Sequence, residues 1–145
     1  MEFWTDSVLV TCLLSWFTAQ ALKIFTAFKQ KRKLDFRRFI GAGGMPSSHA
    51  AFVTSLAAAV AIENGIESTE FAMCAVFALV VMYDAAGVRR AAGQQARILN
   101  KIVDDWEETD ICDSNKPLKE LLGHTPKEVF VGALLGITIA IIRHF

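Results

Sequence analysis

The sequence predicts an all-α integral membrane protein, a helical bundle of about four spanning helices with an amphipathic interfacial helix. Apolar residues make up 53% of the 145 residues and charged residues only 21%, which is unusual for a small soluble protein. The apolar residues are concentrated in four blocks, roughly 8–28, 48–62, 71–88 and 127–142. The alternative is a soluble four-helix bundle, but these blocks are apolar on all faces rather than striped. We therefore expect one membrane-embedded domain over residues 1–145.

The first block is long enough to cross a bilayer, because a spanning helix needs about 20 mostly apolar residues. Acidic residues precede it and no basic leader is present, so we expect a retained helix rather than a cleaved signal sequence. The other three blocks are shorter, and each is expected to cross as a short helix. Between the third and fourth blocks, apolar residues recur with helical spacing at Ile98, Leu99, Ile102, Val103 and Trp106. This spacing predicts an amphipathic helix that lies on the membrane or covers the functional site.

The charges between the blocks predict the orientation of the chain. The connection from the first to the second block carries six basic residues, whereas the next connection carries three glutamates and no base. Short basic connections stay on the cytoplasmic side of a membrane. We therefore expect an integral protein of the cell membrane, with the first and third connections inside and both termini outside.

The first inner connection ends in a Gly-Gly-Met-Pro-Ser-Ser-His stretch at residues 43–49. Glycines let a backbone approach a ligand closely, and Ser47 or Ser48 can cap the helix that begins there. A capped helix start with free N–H groups attracts phosphate. His49, in the first turn, could donate a proton to a leaving oxygen. The stretch is also compatible with a plain capped helix that carries a histidine.

The third connection ends in a Gly-His-Thr-Pro-Lys-Glu stretch at residues 123–128. Thr125 suits the N-cap, proline suits the first helical position, and Glu128 falls at the third, which together predict a capping box. His124 precedes this helix start. A histidine that attacks phosphorus needs one ring nitrogen free and the other bound to a carboxylate. The sequence leaves open whether Glu128 caps the helix or orients His124.

The third apolar block contains an acid, Asp84, and is followed by Arg89 and Arg90. An acid within an apolar span is by default a functional hypothesis, and guanidinium groups bind phosphate through paired hydrogen bonds. Asp84 is expected to pair with one of these arginines or with Lys23. The alternative is a structural ion pair at a helix end.

These three stretches together resemble the type 2 phosphatidic acid phosphatase superfamily, which also contains the vanadium-dependent haloperoxidases. The nearer resemblance is to its small, divergent membrane branch, and it rests on residues 43–49, 83–90 and 122–129. The superfamily pattern has three motifs. The first is a lysine followed, after six residues, by Arg-Pro, and the second is Pro-Ser-Gly-His. The third is Ser-Arg, then five residues, a histidine, three residues and an aspartate. The resemblance implies attack by the last histidine on phosphorus and protonation of the leaving group by the middle histidine. Lysine and arginines hold the phosphate oxygens in this scheme.

In the first motif, Lys31 and Arg38 keep the six-residue gap, although Phe39 replaces the proline. Lys23 is an alternative to Lys31, because both could reach the inner surface. The second motif is present with Ser48 where the pattern has glycine.

The third motif keeps the gap between His124 and Glu128, with glutamate replacing aspartate, and Arg89 or Arg90 stands for its arginine. The resemblance therefore implies His124 as nucleophile, His49 as general acid and Glu128 as the group that orients His124. The phosphate-binding residues implied with them are Lys31, Arg38, Ser47, Ser48, Arg89 and Arg90, with Asp84 and Lys23 in support.

Other features restrict the partners and cofactors. The net charge is zero, so no basic excess favours nucleic acid. The scheme needs no metal or other cofactor; the acidic run over 104–113 could bind a divalent cation but more simply forms a solvated face. A small-residue pattern, Gly132 to Gly136, predicts close helix packing, either within the chain or between two chains of a homodimer.

The expected function is hydrolysis of a phosphate monoester or diphosphate on a membrane lipid, with isoprenoid lipids among the candidates, through a phosphohistidine intermediate. The first alternative is a membrane protein that binds or transports lipid phosphate without turnover. A vanadate-dependent haloperoxidase and a purely structural bundle are the others.

Overall fold

The computed structural model of the chain describes residues 7–31, 44–106, 118 and 123–145. The described residues form helices and connecting turns without a strand, which confirms the all-α class. The five helices are α1 (Val8–Lys31), α2 (Ser48–Asn64), α3 (Thr69–Ala86), α4 (Val88–Trp106) and α5 (Pro126–His144). The four apolar blocks of the sequence correspond to α1, α2, α3 and α5, and the predicted amphipathic stretch corresponds to α4.

Side-chain caps fix the starts of three helices. Ser47, Ser68 and Thr125 each have an extended backbone, and each accepts a hydrogen bond from an N–H of the first turn. These bonds satisfy N–H groups that have no partner within the helix. Gly65, with φ of 87°, ends α2 in a conformation that side-chain-bearing residues rarely adopt. Of the two serines that the sequence offered as caps for α2, the structure uses Ser47.

Helix α2 lies at the centre of the bundle and packs against α1, α3 and α5. Among the described helices, α4 packs only against α3, so it projects from the bundle. The buried residues of α2 are small, with alanine, serine and threonine outnumbering larger side chains. Small side chains let helix backbones approach closely, which is how helices pack in lipid.

The glycines of α5 face α2 within the same chain. A Cβ atom at Gly132 would overlap the backbone carbonyl oxygen of Ser47, and one at Gly136 would overlap that of Ala51. Thr54 adds an interhelical hydrogen bond of 3.1 Å from its hydroxyl to the carbonyl oxygen of Ala133. Of the two roles that the small-residue pattern left open, intrachain packing accounts for both glycines.

Large apolar side chains lie mostly on the outside of the described helices. Exposed examples include Phe17 and Phe25 on α1, Phe77 on α3 and Phe130 on α5. Two stretches, Val8–Thr26 and Thr69–Val103, are long and apolar enough to cross a membrane. The second runs from α3 into α4. The described helices therefore support two of the four predicted spans by length and composition, and the four-span arrangement stays a prediction.

The helix directions bring the ends of the bundle together in two groups. At one end, the last part of α1 and the end of α3 meet the beginnings of α2 and α5. At the other end, His144 of α5 lies 3.3 Å from the Thr11 hydroxyl of α1 and 3.7 Å from a Glu63 carboxylate oxygen of α2. The first and third connections thus begin and end at the same end of the bundle, where the histidines His49 and His124 lie.

Candidate active site at two helix N-termini

The N-termini of α2 and α5 are joined to each other and to α3 by backbone hydrogen bonds. The Ser47 N–H donates to the carbonyl oxygen of Glu128 at 3.0 Å, and the His124 N–H donates to that of Ala85 at 3.0 Å. Ala50, Ala85 and Val129 form a buried apolar cluster beside these bonds. The three helix ends are therefore held in fixed positions, which gives the side chains that they carry a defined geometry.

His124 is buried and oriented by Glu128. Its side chain is 2% exposed, and its Nδ1 atom lies 3.2 Å from Glu128 Oε2. The same carboxylate oxygen accepts from the Thr125 N–H at 3.0 Å, while the Thr125 hydroxyl accepts from the Glu128 N–H. Glu128 thus closes the capping box and binds the histidine, so the two roles that the sequence left as alternatives coexist. The buried Nε2 atom has no hydrogen-bond partner of good geometry among the described residues.

His49 faces His124 across the site. The centroids of the two rings are 5.9 Å apart and the ring planes are inclined by 64°. His49 is the second residue of α2 and follows the cap Ser47 and the first helical residue Ser48. The residues are 75 positions apart in sequence, and it is the parallel packing of α2 and α5 that brings them together. A nucleophile and a proton donor this close can act on one phosphoryl group.

A lysine from α1 enters the same site. Lys23 is 4% exposed, and its Nζ atom donates to the Ser48 hydroxyl at 2.9 Å. The Ser47 hydroxyl, also buried, accepts from the Ala50 N–H at 3.3 Å. Of the two lysines that the sequence could not separate, Lys23 therefore belongs to the histidine cluster. A buried cation beside two helix N-termini makes this end of the bundle suitable for an anion.

The surroundings of His124 favour its neutral form. Burial lowers the pKa of the imidazole below its ordinary value, and the positive charge of Lys23 lowers it further. The Glu128 carboxylate and the backbone of Gly44 oppose this by stabilising the protonated ring. A neutral imidazole bound to a carboxylate through Nδ1 keeps the Nε2 lone pair available, which is the form that a nucleophile needs.

The remaining predicted site residues differ in position. Asp84 lies near the end of α3 and lines a cavity together with His49. Arg90 is exposed in the first turn of α4, and among the described residues it makes no hydrogen bond or ion pair with the histidine cluster. Arg38 lies outside the described residues, as do the side chains of Lys31 and Arg89.

The cavity beside His49 is a groove with a volume of about 670 Å³. Its lining is apolar apart from His49 and Asp84 at one end and the indole of Trp16. The lining residues of α3 recur at positions 77, 80, 81 and 84, and those of α2 at 49, 52 and 53. This is the spacing of a single helix face. The groove was not predicted from the sequence, although this periodicity was the available signal.

The connection into α2 is also held by a contact that the sequence did not indicate. The Thr26 hydroxyl of α1 donates to the carbonyl oxygen of Met45 at 2.8 Å, just before the cis Met45–Pro46 peptide bond. Within the described ranges, no three His, Cys, Asp or Glu side chains come together as a metal site. The acidic run over 104–113 lies outside the described side chains.

Comparison with known proteins identifies relatives over nearly the whole chain. A family model described as "Divergent PAP2 family" matches residues 4–139. The chain is 44% identical over 152 aligned residues to "Uncharacterized membrane protein YuiD" of Bacillus subtilis (strain 168), and the alignment covers 98% of this chain and 96% of that protein. No solved structure matches the chain.

Proposed function

The chain belongs to the divergent PAP2 family, and from this premise we propose that it hydrolyses a phosphate monoester or diphosphate on a membrane lipid, with isoprenoid lipids among the candidates. The observation that carries the proposal is the pair of imidazoles 5.9 Å apart, one of them bound to a carboxylate, beside a buried lysine. Phosphoryl transfer mainly requires positioning and stabilisation of charge on the phosphate oxygens. This end of the bundle supplies both.

In the first step, the lone pair of His124 Nε2 attacks phosphorus and a P–N bond forms. The P–O bond to the lipid alcohol, or to its phosphate in a diphosphate, breaks, and the protonated ring of His49 gives its proton to the leaving oxygen. Glu128 holds the Nδ1–H of His124 and stabilises the positive charge that the ring acquires. The arrangement follows the logic of a nucleophile aligned by a third group.

In the second step, water attacks the phosphohistidine from the side of the departed alcohol. His49, now neutral, takes a proton from this water, the P–N bond breaks, and inorganic phosphate leaves. His49 thus serves first as general acid and then as general base, and both histidines return to their initial states.

Lys23 and Ser48 are the described side chains that would bind the phosphate oxygens, beside two helix N-termini whose dipoles favour an anion. Lys23 is held by the Ser48 hydroxyl and does not have to be drawn in from solvent. Fixed donors of this kind stabilise developing charge without reorganisation. Arg38, Arg89 and Lys31 remain proposed partners of the phosphate, because the family pattern implies them.

We place the protein in the cell membrane with this site on the cytoplasmic side. The related protein is described as a membrane protein, and α1 and α3 are apolar enough to cross a bilayer. The first connection enters the site end of the bundle and contains the six basic residues. The exposed apolar side chains Ile98, Leu99 and Ile102 of α4 support a helix that lies on the membrane surface.

Release of inorganic phosphate from a lipid phosphate by the purified protein tests the proposal. We expect turnover by the parent chain and none by His124→Ala. His144→Ala serves as the matched control, since this histidine lies at the opposite end of the bundle, and it should retain activity. Activity of His124→Ala equal to that of the parent would refute the mechanism. Binding of lipid phosphate without turnover would instead support the alternative of a non-catalytic binder or transporter.

A further inference from the structure

The groove of about 670 Å³ shares His49 with the proposed phosphate site and is lined mainly by apolar side chains of α1, α2 and α3. Its polar end is formed by His49, whose ring faces His124, and by Asp84. Away from this end, the walls are formed by Leu13 and Trp16 of α1, Phe52 of α2, and Phe77 and Val80 of α3. A ligand that extends from the histidines into the groove therefore leaves its charged group at one end and meets mainly carbon elsewhere.

The groove also opens outward along the faces of the helices that are suited to cross a membrane. Leu13 is 42% exposed, Phe77 53% and Val80 61%, and both α1 and α3 belong to the two candidate spans. In a bilayer these side chains would be next to hydrocarbon. Ligand pockets typically have volumes of about 300–1,000 Å³. The volume of the groove is within this range, and in a bilayer its opening would face the hydrocarbon layer that contains the lipid chains.

We propose that the groove holds one hydrocarbon chain of the lipid phosphate, and this inference rests on the proposed function. The chain enters sideways from the bilayer, and its position in the groove sets the headgroup between His49 and His124. From Asp84 to Phe77 the groove follows seven residues of α3, which correspond to about 10 Å at about 1.5 Å per residue. Only the part of the chain next to the phosphate is recognised, and the rest stays in the bilayer.

The groove acts through alignment and not through the hydrophobic effect. Lipid tails are as apolar as the side chains that line the groove, so moving a chain from the bilayer into it removes little apolar surface from water. A side chain that fills the groove should therefore slow the hydrolysis of lipid substrates, because the hydrocarbon chain can no longer lie in the groove while the headgroup is between the histidines. A substrate without a chain should be unaffected.

The test compares dodecyl phosphate with ethyl phosphate, which share a primary alkyl leaving group, as substrates in detergent. Val80→Trp fills the groove, and Leu79→Trp is the matched control because Leu79 has a similar exposure of 64% but does not line the groove. We expect Val80→Trp to lower kcat/KM for dodecyl phosphate by about tenfold or more, because the added ring and the hydrocarbon chain cannot occupy the same space in the groove. Its kcat/KM for ethyl phosphate, and both values for Leu79→Trp, should stay within about twofold.

Equal losses on both substrates, or no loss with Val80→Trp, would overturn the groove assignment while leaving the proposed hydrolysis intact. Leu13→Trp fills the groove from the opposite wall, so a folding defect in one variant does not decide the result. If the parent releases phosphate from neither substrate, these two compounds are not its substrates, and binding decides the inference. Calorimetric titration with dodecyl phosphate should then show weaker binding by Val80→Trp than by Leu79→Trp, and equal binding would refute the groove.

Discussion

At the scale of single residues, the site depends on one carboxylate oxygen with two tasks. Oε2 of Glu128 accepts from the Thr125 N–H in the capping box and lies 3.2 Å from Nδ1 of His124. The helix start and the orientation of the histidine are therefore coupled, because the same atom supports both. This coupling explains how a residue with an ordinary structural role can also take part in the proposed chemistry.

Glu128→Gln separates the two tasks. Glutamine still completes a capping box, so the fold should be retained, but it lacks the charge that stabilises the His124 imidazolium. We expect kcat for a lipid phosphate to fall by at least about tenfold, with little change in KM or in thermal unfolding. Glu70→Gln, which alters the first-turn acid of α3, is the control and should be neutral. Unchanged kcat in Glu128→Gln would show that the carboxylate serves only as a cap.

The pH dependence of activity follows from the lowered pKa of His124. Burial disfavours the imidazolium, so His124, the proposed nucleophile, should stay neutral below the ordinary histidine value of about 6.5, and activity should fall only as the pH drops through its lowered pKa. Its contribution to stability has the same sign: it is present above about pH 6.5 and is lost as the pH falls through the lowered pKa. The acid limb of the kcat/KM profile should therefore lie below about 6.5.

The pH dependence of kcat/KM for Glu128→Gln distinguishes titration of the substrate from titration of His124. A phosphate monoester itself titrates at about pH 6, and this limb does not depend on the enzyme. Because the carboxylate raises the pKa of His124, its removal should move the acid limb to lower pH. A limb that stays in place in the variant would assign it to the substrate and contradict the prediction.

The role of a residue could be predicted from the sequence where it depends on chain neighbours, and less well where it depends on the packing of helices. The capping box at Thr125 and Glu128 follows from four consecutive residues, and the structure contains it. The choice between Lys23 and Lys31 depended on the rotation of α1 against α2, which spacing along the chain does not determine. Lys23 donates to the Ser48 hydroxyl and so lies beside the histidines, whereas the side chain of Lys31 lies outside the described residues.

At the scale of elements, the histidines meet because α2 and α5 run parallel in close contact. The glycines of α5 permit this approach, since a Cβ at Gly136 would overlap both the Ala51 carbonyl oxygen and the Thr54 hydroxyl. The four apolar blocks predicted the main helices, because long apolar runs are a strong signal. The pairing of these helices was not predictable, because small residues on several faces allow more than one arrangement.

Gly136→Val tests the contact between α2 and α5. The added side chain must push α5 away from the α2 backbone, so we expect a loss of about 1–3 kcal/mol in the free energy of unfolding and a marked loss of phosphatase activity. Leu134→Phe is the control, since it enlarges a side chain that is half exposed on the outer face of the same helix. Measurement of thermal unfolding in detergent tests the prediction, and equal stability of the two variants would contradict it.

At the scale of the whole molecule, the bundle places its large apolar side chains outside and its small and polar ones inside. Lys23, Ser47, Ser48 and His124 are buried, whereas Phe25 and many other large apolar side chains are exposed. This distribution suits a protein surrounded by lipid, in which polar groups gather at helix contacts. It also leaves two polar ends, of which only one contains the histidine pair.

The orientation of these two ends is testable by thiol labelling in intact cells. In a chain whose native cysteines are replaced, Glu67→Cys lies in the turn between α2 and α3 and Lys127→Cys lies at the start of α5. We expect a membrane-impermeant reagent to label Glu67→Cys in intact cells, and Lys127→Cys only after the membrane is opened. Labelling in the reverse order would place the site on the outer side. Both variants should keep the activity of the background chain, which shows that the label reports the folded protein.

The proposed mechanism requires that His124 and His49 act on the same phosphoryl group, and trapping the phosphoenzyme shows whether they do. With 4-nitrophenyl phosphate, whose leaving group needs little protonation, His49→Ala should still form the P–N bond but should hydrolyse it slowly. We predict that radiolabelled phosphate accumulates in His49→Ala as an acid-labile, base-stable adduct on His124, and that the His49→Ala/His124→Ala double variant carries no label. Label that persists in the double variant, or turnover by the parent chain with no adduct in His49→Ala, would contradict the account.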